Sequence, residues 1–360
     1  MNVIVAMSGG VDSSVTAALL KQDGYQVIGA TMQIWPSNDL AGEAHKFGGC
    51  CSLDAVSEAK SVAHRIGIPH YVMNFRNEFA QKVLANFCQE YSLGRTPNPC
   101  IRCNEHIKFD ALLNRARDLG ADFIATGHYA RIEHNEVNDR HLLKKGVDHR
   151  KDQSYVLYMM SQDQLKHSLM PLGVFTKEKV RQIARELGLS AADKADSQEI
   201  CFIPDYNYSR FLKAYMPEMA KPGSILDREG NTLGEHRGIL FYTIGQRKGL
   251  GISAEEPMYV VAIDRGRNAI IVGSKEDVYS DELIAADINW IAKQSPKQPI
   301  ELKAKIRYRH READTVIMSI SRSEAHVKFK QAQMAITPGQ AIVFYDKDTV
   351  VGGGTIEQTL

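Results

Sequence analysis

Along the first two hundred positions the apolar residues switch repeatedly between two periods. Val3 to Met7 form a short, β-branched apolar run, which predicts a buried strand. Beyond Gly10 the spacing changes. Val11, Val15, Ala18 and Leu19 recur at helical intervals, so a helix starts near Val11 or Asp12. Tyr25 to Gln33 reads as a second strand, Leu53 to Ile66 as a helix with Val56, Ala59, Ala63 and Ile66 apolar, and His70 to Phe75 as a third strand. Helices follow near Phe79–Tyr91 and Glu105–Leu119, then a strand at Asp122–Thr126 and a helix at Thr176–Leu187 with Thr176 as its cap. Repeated strand–helix units predict an α/β, doubly wound parallel sheet. Ligands of such sheets sit at the carboxyl ends of the strands. That puts the loop at Ser8–Ser13, Thr31-Met32 and Thr126-Gly127-His128 on one rim.

After about Pro204 the pattern changes. Tyr206 to Tyr215 reads as one short helix, and "GSILDREGNTLGEH" and "YVVAIDRGRNAIIVG" as hairpins. From about Asp281 the chain reads as short strands at regular spacing: "ADINWIA", "IELKAKIRYR", "DTVIMSIS", "EAHVKFK", "AIVFYD" and "TVVGGGTI". This predicts a small barrel. The expected organisation is therefore residues 1–205 as the parallel-sheet domain, 206–280 as a small mostly-β central domain, and 281–360 as a C-terminal β-barrel. Within the barrel, Lys303, Lys305, Arg307, Arg309 and Arg311 occupy alternate positions. If the strand holds that far, all five cations share one face, with Ala304, Ile306 and Tyr308 on the other. Such a face suits a phosphate backbone. A second basic cluster, "KKGVDHRKDQ", lies at Lys144–Gln153.

Composition adds limits. The chain has 360 residues, a net charge of +1 and six cysteines. Global charge therefore says nothing for a nucleic-acid partner, and any basic surface is local. No apolar stretch is long enough to span a bilayer, and the start lacks a charged n-region, so neither a membrane anchor nor a secretory leader is expected. Four of the cysteines lie in two close pairs, which argues for catalytic or metal-binding thiols in a cytoplasmic protein rather than a secreted disulfide scaffold.

The junction at Ser8-Gly9-Gly10-Val11-Asp12-Ser13 carries the most chemistry. Glycines between a strand and a helix let the backbone approach an anion, and the free N–H groups of the helix start point at it. Ser8, Ser13 and Ser14 can add hydroxyl donors. No Lys follows the glycines, so the Walker A pattern is absent. Asp12 would repel phosphate unless Mg²⁺ bridges them. The stretch resembles the pyrophosphate loop of the ATP pyrophosphatases, which cleave ATP between its α- and β-phosphates and leave an adenylated substrate for a nucleophile.

The cysteines extend that chemistry. Cys100 and Cys103 stand in "NPCIRCN", and Cys201 in "SQEICFI". Cys88 reads as a core thiol, and the adjacent Cys50 and Cys51 as structural. Cys103 directly precedes the helix expected from Glu105, where a helix N-terminus lowers thiol pKa. If the fold brings Cys103 and Cys201 together, they form a redox pair, a sulfur-transfer pair or, with Cys100, a metal-ligand set.

Together these motifs resemble the tRNA-specific 2-thiouridylases, along essentially the whole chain. The matching stretches are "MSGGVDSS" (Met7–Ser14), "CNEHIKF" (Cys103–Phe109), "TGHYAR" (Thr126–Arg131), "KDQSY" (Lys151–Tyr155), "ICFI" (Ile200–Ile203), "YTIGQRKGLG" (Tyr242–Gly251), "RYR" (Arg307–Arg309), "PGQ" (Pro338–Gln340) and "GGGTI" (Gly352–Ile356). The resemblance implies ATP-dependent 2-thiolation of the wobble uridine in the tRNA anticodon loop. It implies ATP contacts at Ala6, Met7, Ser8, Gly9, Gly10, Val11, Asp12, Ser13, Met32 and Gly127. It implies Cys103 as the nucleophilic thiol and Cys201 as carrier of a persulfide received from an upstream sulfur donor or relay protein. Asn98, Pro99 and Cys100 would lie beside the target base. His128, Lys151, Asp152, Gln153, Arg307, Tyr308, Arg309 and Gln340 would contact tRNA. Asp12 with Mg²⁺ would serve the pyrophosphate. One departure stands out: many members carry Asp where this chain has Cys100. Cys100, Cys103 and Cys201 make three thiols, the number that holds a 4Fe-4S cluster with one open iron. A cluster-dependent thiolation, and a pyrophosphate-loop ligase acting on a small molecule, are the alternatives.

Overall fold

The computed structural model describes residues 1–35, 53–192, 194, 200–203, 207–321 and 323–360. Cys50 and Cys51 lie outside the described residues. The chain forms two compact units, one of Met1–Leu84, Pro99–Tyr206 and Asp348–Val350, the other of Ala85–Asn98, Asn207–Lys347 and Val351–Leu360.

The first unit is built on strands β1 (Asn2–Ala6), β2 (Gln26–Gln33), β3 (His70–Asn74) and β4 (Phe123–Ala125), with helices α1 (Val11–Gln22) and α2 (Leu53–Ile66). A hairpin of β5 (Ala130–Asn135) and β6 (Arg140–Lys145) and a short β7 (Ser168–Leu169) follow. The sheet is parallel throughout, in the order β3-β2-β1-β4-β7. Val3, Ile4 and Val5 are all fully buried, so β1 is covered on both faces; this explains its unbroken apolar run. Strand order reverses between β1 and β4, and the crevice of a doubly wound sheet opens at that point. The expected α/β architecture is therefore present, with the loops after β1 and β4 flanking its crevice. The hairpin β5–β6 falls in a stretch where the apolar pattern predicts no strand. Its alternation is weak, because Leu143 alone among its residues from 140 to 145 is buried.

Residues 99–118 are helical throughout: α over Pro99–Cys103, π over Asn104–Ala111 and α again over Leu112–Asp118. The expectation that Cys103 sits at a helix N-terminus is therefore overturned. Pro99 opens the helix, its fixed φ and missing N–H suiting the first turn, and Cys103 lies beyond that turn. The helix dipole acts within the first turn, so it falls on Cys100 rather than Cys103.

The second unit holds a four-stranded sheet of β8 (Gly223–Leu226), β9 (Thr232–His236), β10 (Tyr259–Asp264) and β11 (Ala269–Gly273), in the order β10-β11-β8-β9. It also holds a closed barrel of β12 (Tyr279–Trp290), β13 (Ile300–Lys305), β14 (Ala313–Ser319), β15 (Ala325–Met334), β16 (Ala341–Asp346) and β17 (Thr349–Thr359). The barrel order is β12-β15-β14-β13-β16-β17, and β12 pairs with β17 to close it. Leu283, Ala304, Phe329, Ile342, Phe344 and Ile356 fill its interior. Segment 85–98 belongs here too: Phe87 and Tyr91 meet Phe211 and Tyr208, with ring centroids 6.0 Å apart in each pair.

The expected face of five cations is shorter than its sequence. β13 ends at Lys305, and residues 306–309 form a bend and a turn. Ala304 and Ile306 are buried as the alternation requires, but Tyr308 is 36% exposed and off the pattern. Lys303 and Lys305 lie on the strand, Arg307 and Arg309 on the bend and turn beyond it, and Arg311 after that turn. Arg307 is directed inward, donating to the Met334 carbonyl at 3.0 Å.

Candidate nucleotide and thiol site

The loop after β1 is shaped by its own backbone. Gly9 has φ +72°, and a Cβ there would lie 2.7 Å from the Ala55 carbonyl oxygen, so both conformation and space require glycine. Gly10 is the N-cap of α1 in extended conformation, and no side chain caps the helix. Its first N–H groups are therefore the kind that an anion satisfies. The Ser14 hydroxyl donates to the Gly10 carbonyl at 2.8 Å and that of Ser13 to the same oxygen at 3.2 Å. Ser13 also accepts from the Ser8 N–H at 3.2 Å. Ser14 is fully buried, so its hydroxyl shapes the loop instead of facing a ligand; Ser8 is the exposed serine of the loop. Thr31 donates to the Met7 carbonyl at 2.9 Å and holds the loop's first residue to β2.

The loop after β4 presses directly on this one. A Cβ at Gly127 would lie 2.9 Å from the backbone carbon and Cβ of Asp12 and 3.0 Å from the Ser13 nitrogen. Gly127 is thus placed beside Asp12 and Ser13, on the rim that also carries Met32. Ala6 and Met7 are buried at the end of β1, Val11 is buried at the start of α1, and Met32 is half-buried.

Asp12 is the carboxylate of the loop, and it is held tightly. Lys177 Nζ donates to its two oxygens at 2.8 and 2.7 Å, and the Tyr129 hydroxyl donates to Oδ1 at 2.6 Å. The Lys177 ammonium also lies 5.7 Å from the centre of the Tyr129 ring. Lys177 is 6% exposed. It is the first residue of the helix Lys177–Glu186, whose cap Thr176 accepts from the Lys179 N–H. Sequence reasoning missed Lys177. The available signal was a lysine in the first turn of a helix, where acidic residues are favoured.

The motif "KDQSY" supports this arrangement from behind. Gln153 exchanges hydrogen bonds with the Tyr129 backbone, its Oε1 accepting at 3.0 Å and its N–H donating at 2.9 Å. Asp152 is buried, accepting from the Gly146 and Ser154 N–H groups at 3.1 Å and from the Ser154 hydroxyl at 2.9 Å. Lys151 is half-buried. His128 is buried, bonded through Nδ1 to the Thr126 hydroxyl at 2.8 Å, with Phe109 at 5.9 Å. Burial, then nearby Lys108, drives its pKa well below the ordinary histidine value, so the ring is neutral at pH 7.

Cys100 is exposed, Cys103 is 9% exposed, and Cys201 is half-buried. Cys103 and Cys201 are not joined by a disulfide. They share a support: Phe202 packs edge-on against Phe79 at 5.5 Å, and the helix Arg76–Phe79 packs on the π-helical stretch that follows Cys103. Among the described residues no three or more Cys, His, Asp or Glu side chains gather as metal ligands. Asp12 does fit Mg²⁺: three of its roughly four lone-pair sites are used, and Mg²⁺ in phosphate sites takes one or two carboxylates. Cys88 is half-buried, and burial followed by Glu218 pushes its thiol up to about 11, as suits an inert core residue.

In the second unit, Gln340 donates to the Thr96 carbonyl at 2.7 Å. Arg95 holds Glu357 through two bonds, at 2.6 and 2.9 Å. Asn98 is half-buried, and Tyr308 and Arg309 are exposed. No helix among the described residues is long and apolar enough to cross a membrane.

Residues 1–205 match the family described as tRNA methyl transferase HUP domain, residues 209–274 the tRNA methyl transferase PRC-barrel domain, and residues 280–356 the aminomethyltransferase beta-barrel domain. The chain is 54% identical over 357 residues to the tRNA-specific 2-thiouridylase MnmA of Acetivibrio thermocellus, covering 99% of each chain. It is 53% identical over 356 residues to that of Halothermothrix orenii, again covering 99% of each. Among solved structures, a 4-thiouridine synthetase–RNA complex with bound ATP aligns at 15% identity and a TM-score of 0.38, over 60% of this chain and 50% of that one.

Proposed function

The chain belongs to the tRNA-specific 2-thiouridylase family, and from that premise we propose that it uses ATP to replace the 2-oxygen of the tRNA wobble uridine with sulfur. The observation that carries the reading is the uncapped start of α1 behind Gly9 and Gly10, with Asp12 beside it. A uracil 2-carbonyl is a poor electrophile, because oxide leaves badly. Transfer of AMP to that oxygen, with release of pyrophosphate, supplies a leaving group. The loop binds the phosphates through the α1 N–H groups, and Asp12 would hold Mg²⁺, which neutralises leaving-group charge.

Sulfur then arrives from a Cys201 persulfide supplied by an upstream donor or relay protein. Its terminal sulfur, or hydrosulfide freed from it by the Cys103 thiolate, attacks carbon 2 and AMP departs. When the terminal sulfur attacks while still bound to Cys201, the Cys103 thiolate then attacks Cys201 Sγ and breaks its bond to the transferred sulfur; by either route that sulfur takes up two electrons, a Cys103–Cys201 disulfide remains, and a cellular thiol reductant reopens it. The target base must leave the anticodon stack to reach this chemistry; Asn98, Pro99 and Cys100 line its approach in this reading. Lys151, Tyr308, Arg309 and Gln340 contact the tRNA, and Arg307, bonded to the Met334 carbonyl, holds the turn that carries Tyr308 and Arg309. Asp152, Gln153 and His128, buried or tied to backbone, shape that surface from beneath. Residues 1–205 carry catalysis, 206–280 the central domain and 281–360 the barrel, and the enzyme works in the cytoplasm with its tRNA.

The test is whether pyrophosphate release needs unmodified tRNA and whether 2-thiouridine appears when a persulfide donor is added. Release with an amino acid or a nucleotide alone would replace this reading with a small-molecule ligase.

A further inference from the structure

The Asp12–Lys177 pair is placed where simple stability would not put it. Lys177 is the first residue of its helix, and Asp12 is the second residue of α1. A helix N-terminus carries about half a positive elementary charge, so it favours Asp12 and disfavours Lys177. The ammonium is also buried, at 7% side-chain exposure, while the Asp12 side chain is 33% exposed. Burying an ion pair costs desolvation that its attraction repays only with good geometry and further hydrogen bonds. Here the geometry is good, with three hydrogen bonds from two donor groups on one carboxylate.

The direction of the clamp matters more than its strength. Lys177 and Tyr129 approach Asp12 from within the protein, leaving the exposed part of the side chain toward solvent. Tyr129 is itself fixed by Gln153, and Gly127 packs against the Asp12 backbone. The carboxylate has one remaining lone-pair site by count. A loop meant for a polyanion carries a negative charge at its mouth, and Lys177 sets a positive charge directly against it.

Resting on the nucleotide reading of the site, we propose that Lys177 is a positioning residue for ATP. It acts through Asp12, neutralising and orienting that carboxylate so that the pyrophosphate end is accepted, and it does so without touching the nucleotide itself.

The test is calorimetric ATP binding in the presence of Mg²⁺ by full-length wild type, Lys177→Met, Asp12→Asn and the double variant, with tRNA affinity measured alongside. Lys177→Met should weaken ATP binding by about tenfold or more, because it leaves a partly buried carboxylate unbalanced, while tRNA affinity stays within about twofold. Acting through Asp12 requires non-additivity: the double variant should bind ATP as Asp12→Asn does, within about twofold. The double variant also removes both charges together, which guards against misfolding of the single one. Tyr129→Phe should produce a smaller loss in the same direction. Unchanged ATP affinity in Lys177→Met overturns the proposal, and so do losses that multiply in the double variant, since they would mean direct contact with nucleotide. A wild type that binds no ATP overturns the nucleotide reading itself, and this inference with it.

Discussion

Cys103 is buried within a continuous helix, and Cys201 sits half-buried in a turn anchored by Phe202 between Trp35 and Phe79. Serine differs from cysteine by one atom, so neither site should lose its packing on substitution. Cys103→Ser and Cys201→Ser should each abolish 2-thiouridine, read by nucleoside mass spectrometry, with tRNA affinity close to wild type; unfolding of either would point to a structural role. His128 supplies a pH prediction. Its folded pKa is depressed, so between that value and about 6.5 the unfolded chain binds the extra proton. Stability is therefore highest above about pH 6.5 and falls on acidification, by at most about 1.4 kcal/mol per pH unit for this one group. His128→Gln should narrow the gap between urea midpoints at pH 7.5 and 5.5. His70, His236 and His310 shift in the same direction and remain to keep part of it. The glycines and Asp12 were legible in the sequence because a strand–glycine–helix junction has a local signature. Lys177 was not, because its partner lies 165 positions away.

Elements held where periodicity was strong and failed at their ends. α2 spans Leu53–Ile66 as its apolar spacing requires, with Ala59, Val62 and Ala63 buried. The helix expected from Glu105 begins instead at Pro99, since proline starts a helix as readily as it stops one. β13 stops at Lys305 although its alternation of basic and apolar residues continues, because Arg307 turns inward to bond the Met334 carbonyl. This splits a pair of arginines that look equivalent in sequence. Arg309→Ala should lower tRNA affinity and reduce its salt slope by about one, with stability unchanged. Arg307→Ala should cost about 1–2 kcal/mol of unfolding free energy by freeing a backbone carbonyl. Filter binding across a salt series and urea unfolding separate the two; an unchanged salt slope in Arg309→Ala would remove the phosphate contact.

At the level of the whole molecule, the compact units do not follow chain order. Segment 85–98 lies between two stretches of the first unit yet packs with the second, and residues 348–350 do the reverse. Phe87 and Tyr91 are buried through their contacts with Phe211 and Tyr208. A fragment of residues 1–205 would expose both rings. It should be less soluble than the full chain and melt without a sharp transition, observable by light scattering and circular dichroism. A monomeric, cooperatively folding fragment would show that segment 85–98 needs no partner. Removing residues 351–360 should likewise open the barrel, because β17 closes it against β12 and an opened sheet bares two edges.

Strand and helix periods, the glycine junction between β1 and α1, the positions of the thiols and the order of the three regions could all be read from the chain alone. Each is written in residues close together, where backbone geometry turns spacing into shape. The clamp on Asp12, the burial of His128 and Asp152, the start of the Cys103 helix and the inward turn of Arg307 came only with packing. These depend on partners tens to hundreds of residues distant, and a linear pattern carries no record of which distant groups will share a buried space.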